Sequence, residues 1–532
     1  MRVACLLFLS AWWIPAGAGA DGGPSLTVRA PHKWLFGLGS TVQLSAQVLD
    51  GAGSPVEGAS IDWSSSDTAI ATVDATGSVM ATGFGTVTIR AVWGEAAGEQ
   101  RLRVTPDVPW EIEPGRDIVF RNVTVVPMDE ERVLSNQTVV VRDGRIVSMG
   151  PAESIDAPEQ AESIDAEGLY LMPGLADMHS HFLHGNPHWQ NDLFLYLANG
   201  VTAVREMWGS TEFLRWRDLA SSSGVPSPTL YISSPGMDGP ESRFAPGTPP
   251  VTTAEQARWT VATYKWQGFD FIKVYTDLRP EVYQAILEEA ARQGLRVVGH
   301  AASRVPFETV VASGQASIEH LSRVWQEVVS GSFYTGIADE SKLESLLPKM
   351  AESGVWMVPT LYVQARNTER VTAMRQRAEM RYVSPEMKRW FDDPTNVTTS
   401  RDVAPLESNL GLLLKRLHSE GVRLMLGTDC GYGSVIPGFA IHDELRMTVE
   451  AGLTPYEALR LATVNPAAFL GSLDRGGTVE PGKRADLLLL EENPLDDIRN
   501  ADKRVGVLAG GRWLSEKRLR WGLENIAREY GN

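Results

Sequence analysis

Between residues 172 and 475 the chain repeats one unit, a short apolar run followed by an amphipathic segment. The apolar runs predict strands over Leu175–His181, Thr202–Glu206, Thr229–Ser233, Phe271–Tyr275, Arg296–His300, Ser317–His320, Trp356–Thr360 and Arg423–Asp429. Between them lie segments such as TAEQARWTVATYKWQG, PEVYQAILEEAARQG and ESKLESLLPKMAESG, whose closing glycines suit the left-handed position just past a helix. Eight strands alternating with helices over about 300 residues predict a (β/α)8 TIM barrel. Residues 361–405 break the rhythm, being too long for a simple βα loop, and predict a helical lid over the barrel mouth.

The flanks of this stretch are β-like. IVFRNVTVVPM and QTVVVRDGRIVSMG, the latter with an Asp143-Gly144 hairpin turn, are matched at the far end by RADLLLLEENP and VGVLAGGRWL. Residues 116–171 and 476–515 are therefore expected to pair as one small composite β-sandwich. Further upstream, residues 24–105 alternate apolar and polar positions with turns every ten or so residues, the pattern of another β-sandwich. The run from Trp63 to Ala91, with WSSSD before ATVD and GTVTI, closely resembles the bacterial Ig-like domains of group 2. TPDVPWEIEPG, residues 105–115, reads as the linker that follows.

The first residues, MRVACLLFLSAWWIPAGAGADGG, combine one arginine, an apolar stretch and the small residues Ala18-Gly19-Ala20. That is the form of a signal peptide over residues 1–20, and it implies export to the periplasm, cell surface or medium. No later segment is long and apolar enough to predict a membrane span. Cleavage removes Cys5 and leaves Cys430, so no internal disulfide is available and stability must come from the core. The formal net charge of −17 argues against nucleic acid or an anionic membrane as partner and suits a small substrate. The Ig-like region offers a contact to a cell surface or polymer, and the oligomeric state is left open.

Chemistry concentrates where the strand candidates end. Residues two apart on a strand share a face, so His179 and His181 in GLADMHSH point the same way, as two ligands of one metal would. Lys273 lies in FIKVY, His300 in GHAAS, His320 in IEH and Asp429 in GTD. In a (β/α)8 barrel these six residues converge on the C-terminal face, where active sites lie.

The motifs GLADMHSH, FIKVY, GHAAS, IEH and GTD, followed by GLTPYEALRLATVNPAAFLG and GTVEPGKRADLLLL, resemble in type and order the metal-dependent amidohydrolase superfamily. The likeness is strongest to its imidazolonepropionase-like and prolidase-like branch. It implies one or two divalent ions, usually zinc: His179, His181 and Asp429 on the first, His300 and His320 on the second, and carbamylated Lys273 between them. It further implies a metal-bridging hydroxide that attacks an amide carbonyl, with Asp429 as the catalytic residue that moves the proton. A small-molecule amide, dipeptide or N-acyl amino acid is the implied substrate.

The chain departs from the ring-opening and deaminating members in one respect. Those carry a glutamate about three residues after the strand-five histidine, where this chain has Ser303, and the next acid is Glu308. With Lys273, this shifts the expectation towards a two-metal hydrolase. A single-metal cyclic amidase or deaminase, and a non-catalytic surface-binding protein, stay open as alternatives. His184 and His188 read as solvent-facing loop residues and Arg205 as half of a structural pair. Tyr275 is either a substrate donor or barrel filling, Glu206 carries no assigned role, and His442 and Glu444 cap a helix.

Overall fold

A computed structural model describes residues 23–531 except 31–33, 37, 84, 106–115, 157, 182–187, 224, 242–248, 365–367, 393–400 and 432–433. The expected signal peptide, His184 and most of the expected linker lie outside the described residues. The chain divides into two units, Met1–Pro109 and Trp110–Asn532.

In the first unit, Gly85–Trp93 and Ala96–Thr105 form an antiparallel hairpin at the centre of a four-stranded sheet with Trp34–Phe36 and Asp62–Ser65. Strand alternation sends Val87, Ile89 and Ala91 inward, where they pack with Leu35, Val42, Val79 and Leu102. Gly77 takes a left-handed φ of 81°, and a Cβ there would lie 2.8 Å from the Trp63 ring, so this turn requires glycine.

In the second unit the eight strands of the repeat are β1 (Leu175–Ser180), β2 (Val201–Glu206), β3 (Thr229–Ile232), β4 (Phe271–Val274), β5 (Arg296–Gly299), β6 (Ser317–Glu319), β7 (Trp356–Val358) and β8 (Arg423–Leu424). All recorded pairings among them are parallel, β1-β2-β3 in one sheet and β4-β5-β6-β7-β8 in another. Isolated parallel bridges also join Ser233 with Phe271 and Ser180 with Cys430. All six residues of β1 are buried, which explains why its sequence LADMHS shows no clean alternation: a parallel strand is covered on both faces.

Helices follow the strands and end where their sequences say. Thr253 caps Ala254–Gln267 by accepting from Gln256 N, and Gly268 closes it in the left-handed region. Asp339 caps Glu340–Ser353, with Gly354 in the same closing role. Part of the long segment after β7 is described, as the helices Leu361–Gln364, Thr368–Arg375 and Pro385–Asp392. Trp390, in the last of these, donates to Gly431 O at 2.9 Å, docking that helix on the turn that follows Asp429.

The flanking β segments pair across the length of the repeat. Tyr170–Pro173 runs antiparallel to Leu487–Leu490, joining the two stretches into one eight-stranded sheet. Phe120 and Trp513, 5.4 Å apart edge to face, lie in its apolar layer. Beyond the sheet the chain continues as the helix Glu516–Glu529, which Ser515 caps by accepting from Arg518 N.

Candidate metal centre

Each of the six candidate residues lies on or just beyond the C-terminal end of a strand. His179 belongs to β1 and Lys273 to β4, while His181, His300 and His320 directly follow β1, β5 and β6. Asp429 lies five residues beyond β8, whose ladder ends at Leu424 instead of continuing to Asp429. The strands are shorter than expected because the backbone turns at the functional residues: φ is 73° at His320, 50° at Thr360 and 56° at Asp429. Non-glycine residues in the left-handed region are strained, and such strain clusters at functional sites. At His320 the turn matters directly. Consecutive strand residues face opposite ways, yet Glu319 and His320 both reach His179, through a hydrogen bond and a 4.7 Å ring contact.

The structure brings three ligand atoms together. His181 Nε2 lies 3.0 Å from Asp429 Oδ1, His179 Nε2 lies 3.4 Å from the same oxygen, and the two imidazole nitrogens are 3.3 Å apart. Among the described residues this is the cluster of His, Cys, Asp or Glu able to hold a metal ion. His320 stands between His179 and His300, with ring centres 4.7 Å from each, and the His300 ring lies tilted by 39° against Tyr275 with centres 4.1 Å apart. Lys273 Nζ is 5.4 Å from the Tyr275 ring.

Charges at this largely buried site are set by burial and neighbours. Burial, reinforced by Lys273, holds His179 and His300 well below the usual histidine range, so both are neutral and have a lone pair to offer. Burial lowers His320 too. His181 goes the other way: burial pulls it down, but hydrogen bonds to Asp429 and Glu206 outweigh that and raise it to about 9. Lys273 is lowered to about 8, chiefly by burial, which makes the neutral amine accessible near neutral pH. Lys273 Nζ and His300 Nδ1 are buried and have no hydrogen-bond partner among the described residues. Two orphaned polar atoms beside a three-ligand cluster fit a bound cation centre, because buried polar groups otherwise find partners.

A second layer, of which the sequence singled out only Arg205, orients the first. Glu319 Oε2 accepts from or shares a proton with His179 Nδ1 at 2.8 Å, and Arg205 grips Glu319 at 2.9 and 3.1 Å. Ser317 Oγ adds a 2.5 Å contact to Glu319. Asp177 accepts from His179 N, Thr428 N and Thr428 Oγ1, tying β1 to the turn that carries Asp429. Thr360 Oγ1 meets His320 Nδ1 at 2.7 Å. Asp177 and Glu319 were visible as acids inside apolar strands, a signal that a lone buried carboxylate has a fixed partner.

The other conspicuous residues fall outside the cluster. Arg205 is indeed half of a buried pair. His188 bonds Glu529 and sits 3.6 Å from Glu386, so it ties the chain after β1 to two helices instead of facing solvent. His442 meets Asn199 O and Arg504, and Glu444 accepts from Leu361 N and Tyr362 N, capping not its own helix but the one after β7. Glu308 pairs with Lys349, and Glu206 holds Trp208 N while lying 3.6 Å from His181.

Residues 32–104 match the bacterial Ig-like domain of group 2. The chain is similar to the ochratoxinase of Aspergillus niger, 26% identical over 436 residues that cover 70% of this chain and 81% of that protein. It is also similar to an adenine deaminase of a Ruegeria species (strain TM1040), 24% identical over 75% of this chain but only 57% of the deaminase. Among solved structures, a bottromycin amidohydrolase superposes with a TM-score of 0.65 at 25% identity, covering 79% of this chain and 92% of that one. Residues 170–514, well over half of the chain, match the amidohydrolase family, and with the histidine–aspartate cluster at the strand ends the chain belongs to that family of hydrolases acting on carbon–nitrogen bonds.

Proposed function

We propose that this is an exported, two-metal amidohydrolase that cleaves the amide bond of small substrates such as dipeptides or N-acyl amino acids. The observation that carries the reading is the orphaned amine of Lys273, sealed beside four histidines and an aspartate. A permanent ammonium there would repel divalent cations, whereas a carbamate formed on the neutral amine carries one negative charge and two oxygens that suit two cations.

In this reading eight parallel strands form a (β/α)8 barrel over residues 172–475, with the composite sheet of 116–171 and 476–515 beside it. Residues 24–105 are the Ig-like domain and residues 1–20 the signal peptide. Export is supported by the amino-terminal pattern and the Ig-like match, and among the described residues no helix is long and apolar enough to cross a membrane.

His179, His181 and Asp429 would hold one divalent ion, His300 and His320 the other, and carbamylated Lys273 both; zinc suits the imidazole-rich donor set. Such ions supply Lewis-acid activation of water and of the substrate carbonyl. Asp429 takes a proton from the attacking water and delivers it to the departing amine, a role its position beside His181 and at the strand ends allows. Glu319 and Thr360 fix the imidazoles of His179 and His320, so the lone pairs aim inward without reorganisation. Tyr275, against His300, lines the same space.

A screen of dipeptides, N-acyl amino acids and lactones against zinc-loaded protein tests the substrate class. Turnover of amides but not of lactones or purines supports it; deamination of a ring substrate with no amide turnover overturns it.

A further inference from the structure

Aromatic rings stand at the strand ends beside the candidate ligands. Trp208 lies two residues beyond β2 and Tyr275 one residue beyond β4. Their rings meet edge to face, with centres 5.2 Å apart and planes at 82°, and the far side of the pair is the 4.1 Å contact of Tyr275 with His300. At the near side Trp208 N donates to Glu206 Oε1 at 2.6 Å, and Glu206 lies 3.6 Å from His181. The pair therefore runs from the neighbourhood of one candidate ligand to another.

Two glycines seat the indole. A Cβ at Gly209 would lie 1.8 Å from Ser233 O, so the chain after Trp208 passes the end of β3 as only glycine can. A Cβ at Gly236 would lie 2.7 Å from the Trp208 ring, which takes the space a side chain there would fill. Core filling does not account for these rings. Both are half-buried, and among the described residues neither belongs to nor packs against the apolar clusters of the second unit.

We propose that Trp208 is a specificity-determining residue, which with Tyr275 receives an aromatic side chain of the amide substrate. The inference rests on the amide-hydrolase reading above and names its substrate class. Two rings nearly at right angles form a corner. A third ring placed in it meets one face-on and the other edge-on, the two arrangements that aromatic pairs prefer. The scissile amide needs the polar groups of the centre, whereas its apolar side chain needs a surface that water leaves readily, and the indole is the largest such surface here. Held by Glu206 and the two glycines, Trp208 offers that surface with little freedom left to lose.

The test is kcat/KM of the zinc-loaded full-length protein on dipeptides and N-acetyl amino acids that carry phenylalanine, alanine or lysine. The parent should favour phenylalanine over alanine by roughly tenfold or more, the scale on which apolar pockets discriminate. Trp208→Ala should shrink that ratio by about tenfold, and Trp208→Phe, which restores a ring, should keep most of it. Gly236→Ala, whose Cβ displaces the indole, should shrink the ratio as well and tests the same point if Trp208→Ala does not fold. An unchanged ratio in folded Trp208→Ala or Gly236→Ala would overturn the inference, as would a parent that prefers alanine or, through cation–π attraction, lysine; each leaves amide hydrolysis standing. A parent that turns over none of these amides would overturn the hydrolase reading, and the inference with it.

Discussion

Glu319 Oε2 lies 2.8 Å from His179 Nδ1, and Arg205 holds the same carboxylate at 2.9 Å, with all three side chains sealed from solvent. Arg205 therefore has a measurable structural duty. Arg205→Met strands the Glu319 charge in the interior and should cost about 3–5 kcal/mol in a urea denaturation series. Arg205→Met with Glu319→Leu, which removes both charges, should recover most of that loss. A single-variant cost below about 1 kcal/mol would show that the pair is not the anchor its burial indicates.

Asp429→Asn should leave the fold nearly unchanged, because the amide is close to isosteric, yet lower turnover by about 10²- to 10⁴-fold, the usual contribution of general acid–base groups. Steady-state rates on the best amide substrate, with metal content matched, check it. Turnover within about threefold of the parent, far short of that range, would remove Asp429 from proton transfer.

His442 should make the protein acid-sensitive. Burial holds its pKa down at about 4, against an ordinary value of 6.5, although 15% of the side chain still meets solvent. As pH falls from 6.5 towards 4 the unfolded chain takes up a proton that the folded chain refuses, so stability drops across that window, by at most about 3 kcal/mol. His442→Gln cannot take up that proton. Its stability relative to the parent should therefore improve as pH falls from 7 to 4, and parallel curves for the two proteins would contradict the assignment.

The unit Met1–Pro109 supplies none of the six candidate ligands. A chain starting at residue 110 should fold and keep its turnover, measured on the same amide substrate. A collapse of turnover in a correctly folded truncated chain would mean that the Ig-like unit helps to form the site.

Much of this architecture was legible because its signals are local. Helix ends marked by Gly268 and Gly354, and a hairpin at Asp143-Gly144, follow from φ values that glycine and aspartate tolerate best. The histidine pair was legible because strand alternation needs no tertiary knowledge. The orienting layer was not. Glu319 reaches a histidine 140 positions earlier, and which acid meets which imidazole depends on how the fold brings β1 and β6, from different sheets, together, which no local pattern encodes. Strand ends are overestimated for a related reason: the run from Arg423 through Leu426 points to a strand reaching Asp429, but the ladder ends at Leu424 and the backbone turns left-handed at Asp429. The burial of His188 is not legible locally, because its partners, Glu386 and Glu529, lie on helices that come together only in the folded chain.

The most direct test of the two-metal account is Lys273→Ala, assayed together for bound zinc and turnover. A bridging carbamate predicts that the variant loses metal and activity together, and that a short-chain carboxylic acid added with excess zinc restores part of the rate by supplying the missing oxygens. Two tightly bound zinc ions and near-parental turnover in the alanine variant would contradict it and leave a single-metal hydrolase as the better account.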